Sequence, residues 1–195
     1  MYELKEREMI FVFTGPHGAG RKTVAEMSGS TLGIKQVISC TTRPQRPTEV
    51  DGQDYHFITA EQFNEAQAKD EFIEVTRVND YLYGIKNSDI EKIFKSSGSI
   101  YLILNRFGAE TLQALYGDHV VRIFIYADRD TLEQRMRESG DSEELIATYL
   151  SHYEDEMAYR EQCEHVFENV DLAHTVFDLT KTLDQYLNRN LLELD

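Results

Sequence analysis

Met9-Ile10-Phe11-Val12-Phe13-Thr14 runs directly into Gly15-Pro16-His17-Gly18-Ala19-Gly20-Arg21-Lys22-Thr23, and this stretch decides the fold. The apolar run has the length and composition of a strand buried on both faces, as in a parallel sheet. A glycine-rich turn follows, which lets backbone N–H groups converge on an anion. Thr23 to Met27 then opens a helix whose N-terminus adds its positive end. An ordinary glycine turn is the plain alternative, but strand, loop and helix in this order favour a phosphate-binding loop. Gly15, Gly18, Ala19, Gly20, Arg21, Lys22 and Thr23 are its candidate phosphate contacts. Gly29 and Gly33 are expected to stop the helix.

The loop departs from G-x-x-x-x-G-K-[ST] at its two most chemical positions. Counted from Gly15, the second glycine is Gly20, so Arg21 stands at the lysine position. Lys22 then stands where a hydroxyl should ligand Mg²⁺. A planar guanidinium keeps the charge of a lysine but not its compact shape. A cation at an oxygen-ligand position opposes the metal. Thr23 supplies the hydroxyl only if the loop slips by one residue.

Working outward, Gln36 to Cys40 reads as a strand and Thr41 to Gly52 as a proline-stiffened loop carrying Arg43 and Arg46. Asp54 to Ile58, Glu71 to Val78 and Tyr81 to Tyr83 read as strands. A helix from Ala60 to Lys69 and an Asn79-Asp80 turn separate them. Beyond this the pattern alternates regularly. Helices are expected over Asp89–Lys95, Ala109–Tyr116, Asp130–Glu138, Ser142–Arg160 and Leu172–Leu192, and strands over Ser99–Leu104, Val120–Tyr126 and His165–Glu168. This spacing implies an α/β fold whose parallel sheet has helices on both faces. Ser39 to Tyr83 breaks the alternation and reads as a small β-rich subdomain.

A length of 195 residues suits one domain. The formal net charge of -15 argues against nucleic acid or an anionic membrane as partner, while leaving room for a small phosphorylated ligand at locally clustered cations. Cys40 and Cys163 are too few for a disulfide framework or metal cluster and suit a reducing compartment. Met1 to Glu8 is charged, with no secretory h-region, and no apolar run is long enough to span a bilayer. A cytoplasmic domain is the expectation.

Ser39-Cys40-Thr41-Thr42-Arg43-Pro44-Gln45-Arg46-Pro47-Thr48-Glu49-Val50-Asp51-Gly52-Gln53-Asp54-Tyr55-His56-Phe57 resembles the guanylate kinase signature S-x-T-T-R-x-P-R-x-G-E-x-D-G-x-D-Y-x-F. Glu71-Phe72-Ile73-Glu74 and Tyr81-Leu82-Tyr83-Gly84 resemble that family's E-F-I-E and N-Y-Y-G. The resemblance covers roughly Ile10 to Leu172. It implies a P-loop core (9–38, 86–128 and 164–195), a GMP-binding subdomain (39–85) and a helical lid (129–163) within one domain spanning 1–195. It also implies GMP and ATP as ligands, Mg²⁺ as cofactor, and Ser39, Arg43, Arg46, Glu49, Tyr55, Glu74, Tyr83, Gly84 and Asn105 as GMP contacts.

The chemistry agrees residue by residue. Arg43 and Arg46 can present two guanidinium forks to one phosphate, and Tyr55 and Tyr83 add phenolic donors. Glu74 offers two oxygens to the parallel N1–H and N2–H₂ donors of guanine; adenine lacks that pair. Taken singly, each has a plainer reading as a solvated arginine, a core tyrosine or a surface glutamate. Ile85 stands where the family has serine or threonine.

The ATP side resembles the family less. Ile103-Leu104-Asn105-Arg106-Phe107-Gly108 corresponds to D-x-D-x-Q-G, so the first, metal-holding acid is Ile103 and the second is Asn105. Of the lid arginines Arg135 remains, Ser139 and Tyr149 take the other two places, and Arg137 lies near enough to serve. Arg21, Arg135 and Arg137 are therefore the candidate catalytic cations, and Asn169 the candidate adenine contact. Impaired guanylate kinase activity is the first expectation. A non-catalytic module for guanine nucleotides or phosphorylated ligands, with a protein partner, is the alternative. A sugar-phosphate kinase ranks last, because it has no use for Glu74 beside Tyr83-Gly84.

Overall fold

The computed structural model describes residues 2–78 and 80–192, with side chains to residue 187. The first residue of the expected Asn79-Asp80 turn, Met1 of the N-terminal stretch, and the end of the expected core segment 164–195 lie outside the described residues.

The chain opens with β1 (Ile10–Thr14), α1 (Arg21–Leu32) and β2 (Lys35–Gln36). It continues with β3 (Cys40–Thr41), β4 (His56–Phe57), α2 (Ala60–Ala68), β5 (Phe72–Val78) and β6 (Tyr81–Lys86). Then come α3 (Asn87–Ser97), β7 (Ile100–Ile103), α4 (Arg106–Tyr116), β8 (Val120–Tyr126) and α5 (Arg129–Glu138). The last elements are α6 (Glu143–Ser151), α7 (Tyr153–Ala158), β9 (His165–Glu168) and α8 (Leu172–Leu192).

Five strands in the order β2-β7-β1-β8-β9 form one sheet, every pairing parallel. All five residues of β1 are buried, as a central strand requires. Its alternate residues separate two cores. Phe11 and Phe13 pack with Val24, Ala25, Leu179 and Leu183 of α1 and α8. Ile10 and Val12 pack with Ile90, Phe94 and Leu112 of α3 and α4. The period of two in the strand thus assigns helices to both faces, in agreement with the α/β reading.

A second, four-stranded sheet has the order β4-β3-β6-β5, with β3 and β4 parallel and the β3–β6 and β5–β6 pairs antiparallel. The strand expected over Gln36–Cys40 is divided between the two sheets. Gln36 ends β2 in the large one and Cys40 begins β3 in the small one, so the chain leaves the core at this point.

Two helix expectations are corrected. Gly29 does not stop α1. It lies buried inside the helix, where a Cβ would come 2.7 Å from a Tyr101 ring carbon, so its use is close packing against β7. Gly33 makes the stop, at φ 70, with its N–H bonded to the Gly29 carbonyl. The helix expected over Ser142–Arg160 is α6, α7 and a 3₁₀ turn at Tyr159–Gln162. Among the described residues no helix is long and apolar enough to cross a membrane.

Candidate active site

The carboxyl ends of the strands β1 and β7 open on a cleft of about 650 Å³, where ligands of open parallel sheets bind. One wall is the loop between β1 and α1. Its backbone demands glycine at two places. Gly15 has φ 128, and a Cβ there would sit 2.0 Å from the Ile125 carbonyl oxygen. Gly20 caps α1 at φ 83, with a Cβ position 2.6 Å from Asn169 Nδ2. Asn169 is 4% exposed and donates from Nδ2 to the carbonyl of the buried Ala19 at 2.8 Å. It braces the loop from beneath and is not among the residues lining the cleft. The structure thus places the candidate adenine contact in a supporting position.

Gly15, Gly18, Gly20, Arg21 and Lys22 line the cleft. Arg21 donates to the Leu104 carbonyl at the end of β7, 3.3 Å away. Lys22 forms an ion pair with Asp54 of the β3–β4 connection and another with Glu26, at 3.5 Å. Burial alone would lower the Lys22 ammonium, but Asp54 and Glu26 raise it, so it is firmly charged. Thr23 is exposed and lies outside the cleft lining. α1 begins at Arg21 directly after the left-handed Gly20, so the loop keeps the register that puts Lys22 at the hydroxyl position.

These residues do not fit Mg²⁺. The hydroxyl position carries an ammonium, the strand-end position carries Ile103, and the carboxylate of Asp54 is engaged by Lys22. Among the described residues no three His, Cys, Asp or Glu are grouped to hold a metal. A divalent ion about 4 Å from that ammonium would be repelled by ~2 kcal/mol even at water's dielectric constant.

The opposite wall carries Arg43, Arg46, Glu49, Tyr55 and Tyr83. Arg43 donates to Glu49 Oε1 at 2.6 Å, and its guanidinium lies 5.5 Å from the Tyr55 ring centroid. Burial alone would lower the Arg43 guanidinium, but its bonds to Glu49 and Tyr83 raise it, which fixes its charge. Glu49 also accepts from the Arg46 backbone at 2.8 Å, so one carboxylate sets the spacing of both arginines and acts as a positioning group. The rings of Tyr55 and Tyr83 meet edge to face at 5.8 Å. Burial raises the Tyr55 phenol, which stays protonated and able to donate.

Glu74 is 5% exposed on β5 and reaches the same cleft. Burial raises its carboxyl, opposed by a hydrogen bond from Thr76 Oγ1 to Oε1. A Cβ at Gly108 would approach Oε1 to 3.2 Å. Ser39, Tyr83 and Asn105 complete this wall; Asn105 Oδ1 also caps α4 by accepting from Gly108 N at 3.0 Å. Gly84 is buried beneath the stacked Phe63 and Phe72 rings, where a Cβ would meet Phe72 at 2.8 Å. Ile85 is fully buried in the core, as an apolar residue at that position must be.

The segment expected to form the lid places its arginines away from the cleft. Arg137 is exposed, held by Glu133 and by Glu143 at 2.7 Å. Arg135 donates to the Asn169 carbonyl at 2.8 Å. Neither lines the cleft. Tyr149 lies against His17 of the loop instead, the rings stacked at 4.2 Å. His17 Nε2 is 3.2 Å from Asp141 Oδ2, and Arg46 reaches the same carboxylate at 3.9 Å. Arg106 and Glu156 also line the cleft. Sequence reading gives no role to His17, Asp141, Arg106 or Glu156; His17 inside the glycine loop and Arg106 three residues past β7 are the available signals.

Burial, and then the Arg21 charge, push His17 down from 6.5 to about 4 despite Asp141. The folded value lies below the unfolded one. His17's contribution to stability is therefore complete above pH 6.5 and is lost as pH falls toward 4. Between pH 7.5 and pH 5 the wild-type chain should lose about 2 kcal/mol more stability than His17→Asn. Denaturant midpoints at the two pH values test this, and parallel losses would show that His17 is not held neutral.

A strand, glycine loop and helix at the carboxyl end of a parallel sheet, facing paired arginines across one cleft, define a P-loop domain of the nucleotide-kinase class. The chain belongs to the guanylate kinase family, whose family model, Guanylate kinase, matches residues 7–186. It is 33% identical over 177 residues to a guanylate kinase of Symbiobacterium thermophilum, covering 90% of this chain and 84% of the relative. A guanylate kinase of Fusobacterium nucleatum is 31% identical over 176 residues, covering 90% and 95%. The crystal structure of guanylate kinase from Anaplasma phagocytophilum aligns with a TM-score of 0.75 at 27% identity, covering 93% of this chain and 87% of that one.

Proposed function

We propose that this chain binds GMP between Glu74 and the Arg43–Arg46–Tyr55–Tyr83 cluster, and transfers a phosphoryl group to it from ATP slowly. The observation that carries this is Glu74, a buried carboxylate aimed into a cleft whose other polar groups suit a phosphate. Its two oxygens accept the N1–H and N2–H₂ of guanine, and leaving them unpaired is costly enough to reject adenine. Arg43 and Arg46, set by Glu49, hold the GMP phosphate, and the tyrosines donate to it. The glycine loop and Arg21 hold the ATP phosphates. The subdomain at 39–85 and the lid at 129–163 close over both ligands and exclude water.

Transfer of this kind depends on positioning and on neutralising charge. Losing one stabiliser typically costs about 10²–10³ in rate. Here Lys22 and Ile103 replace two metal-facing groups, and Arg137 is tied to surface carboxylates. The Lys22–Asp54 pair favours a second reading, a non-catalytic guanine-nucleotide or phospho-ligand module with a protein partner. The test is GDP and ADP formation from GMP and ATP at high protein concentration, beside a calorimetric GMP titration of the same sample. Slow turnover with GMP binding is expected. GMP binding without turnover supports a guanine-nucleotide module, and no GMP binding at millimolar concentration overturns the GMP reading in favour of a phospho-ligand module.

A further inference from the structure

We propose that the Lys22 ammonium takes the place of the divalent metal, so that this chain binds nucleoside polyphosphate in its metal-free form. The inference rests on the reading of the glycine loop as the ATP site. The loop supplies two cations of its own, Arg21 and Lys22, where the ordinary pattern supplies one lysine and relies on Mg²⁺ for the rest. Both line the cleft. Arg21 donates one N–H to the Leu104 carbonyl at 3.3 Å, and its guanidinium carries four further N–H donors. The Lys22 side chain is 46% exposed on a flexible stem, so its ammonium can turn from Asp54 to a phosphate oxygen while the fold stays as it is.

Asp54 is the counter-ion that holds this cation while the site is empty. Its side chain is 13% exposed, and Oδ2 accepts from Val50 N at 2.8 Å, so its position does not depend on Lys22. Burial alone would raise the Asp54 carboxyl, but Lys22 and the Val50 N–H hold it below its ordinary value, keeping it charged. A polyphosphate carries more negative charge than one carboxylate and offers the ammonium several acceptors, so it wins the exchange. The Asp54 carboxylate is then left near the phosphates and sets a cost on binding. Ile103, at the strand end where a metal-holding acid would stand, brings no charge that would call for a metal.

The test is calorimetric titration of the full chain with a non-hydrolysable ATP analogue, in EDTA and again in excess Mg²⁺, with GMP titrated in parallel. Wild-type affinity is expected to be highest in EDTA and to weaken by about tenfold or more in excess Mg²⁺, which withdraws the metal-free ligand and is repelled by the Lys22 ammonium. Lys22→Ser should weaken metal-free binding by about tenfold or more and make Mg²⁺ strengthen it. Asp54→Asn, which keeps an acceptor for Val50 N–H but removes the competing charge, should tighten metal-free binding by several-fold. Wild-type binding that is unchanged or strengthened by Mg²⁺, absence of analogue binding in both conditions, or weaker binding by Asp54→Asn overturns the proposal. GMP binding distinguishes the two failures: if it persists, the guanine reading stands without the metal-free one.

Discussion

Replacing Glu74 by Gln is expected to weaken GMP binding by about 100-fold, while inorganic phosphate and ribose 5-phosphate bind within about twofold of wild type. The side chain is 5% exposed. Its interactions are therefore with the ligand and the protein, with little competition from water. Guanine presents two parallel donors, and a carboxylate meets both. An amide meets one and sets its own N–H₂ against the other. A charge-assisted bond contributes about 1.5–3 kcal/mol, and an unpaired buried donor costs about as much again. Losing one bond and opposing one donor thus gives the ~3 kcal/mol that corresponds to 100-fold. On the proposed reading, phosphate-only ligands would meet the Arg43–Arg46 end of the cleft and would not sense the change.

The titration of Glu74 supplies a second signature of the same contact. Burial raises its carboxyl above the ordinary glutamate value. GMP requires the ionised form, so affinity should fall as pH drops through that raised value, earlier than a free glutamate would dictate. Glu74→Gln should lack this dependence. Equal loss for GMP and for inorganic phosphate in the variant would instead mean that Glu74 supports the pocket without reading the base.

Much of this architecture is legible in the chain because local and global signals agree. β8 and β9 are bounded by clear breakers and filled with apolar residues, and their limits in the structure match the reading residue for residue. Gly29 misleads because a glycine that ends a helix and one that admits a neighbour look alike; only the Tyr101 ring distinguishes them. The wall facing the glycine loop is legible as a cluster because Arg43, Arg46, Tyr55, Glu74 and Tyr83 form a dense pattern within 39–85 and line one cleft. The lid is less so. Arg135 and Arg137 lie two apart on α5 and cannot share a helix face. Glu133 and Glu143 then decide that Arg137 stays at the surface. His17, Asp141 and Tyr149 come together from three segments, and their types alone announce no partner. Lys22 is legible as a departure from the loop pattern. That its partner is Asp54, thirty-two residues away, is visible only in the fold.

Restoring the loop as Arg21→Lys with Lys22→Ser should raise turnover by no more than about tenfold, and adding Ile103→Asp by roughly 10² further. The double variant returns a compact ammonium to the loop and a hydroxyl to the metal-facing position, but leaves the far side of that position apolar. Ile103 lies in register with Phe13 at the end of β7, half-buried and facing the cleft. A carboxylate there, with the hydroxyl of K22S, would offer a divalent ion two oxygen ligands, and a bound ion would supply charge neutralisation for the transfer. The exchange costs part of the burial of one isoleucine, about 1–2 kcal/mol of stability, which a denaturant midpoint will show. Steady-state rates at saturating GMP and ATP, with and without Mg²⁺, separate the contributions. Only variants carrying K22S should respond to the metal, and the largest response should belong to the triple variant. Ordinary kinase rates from the double variant alone would mean that the loop, and not the strand end, sets the barrier in this chain.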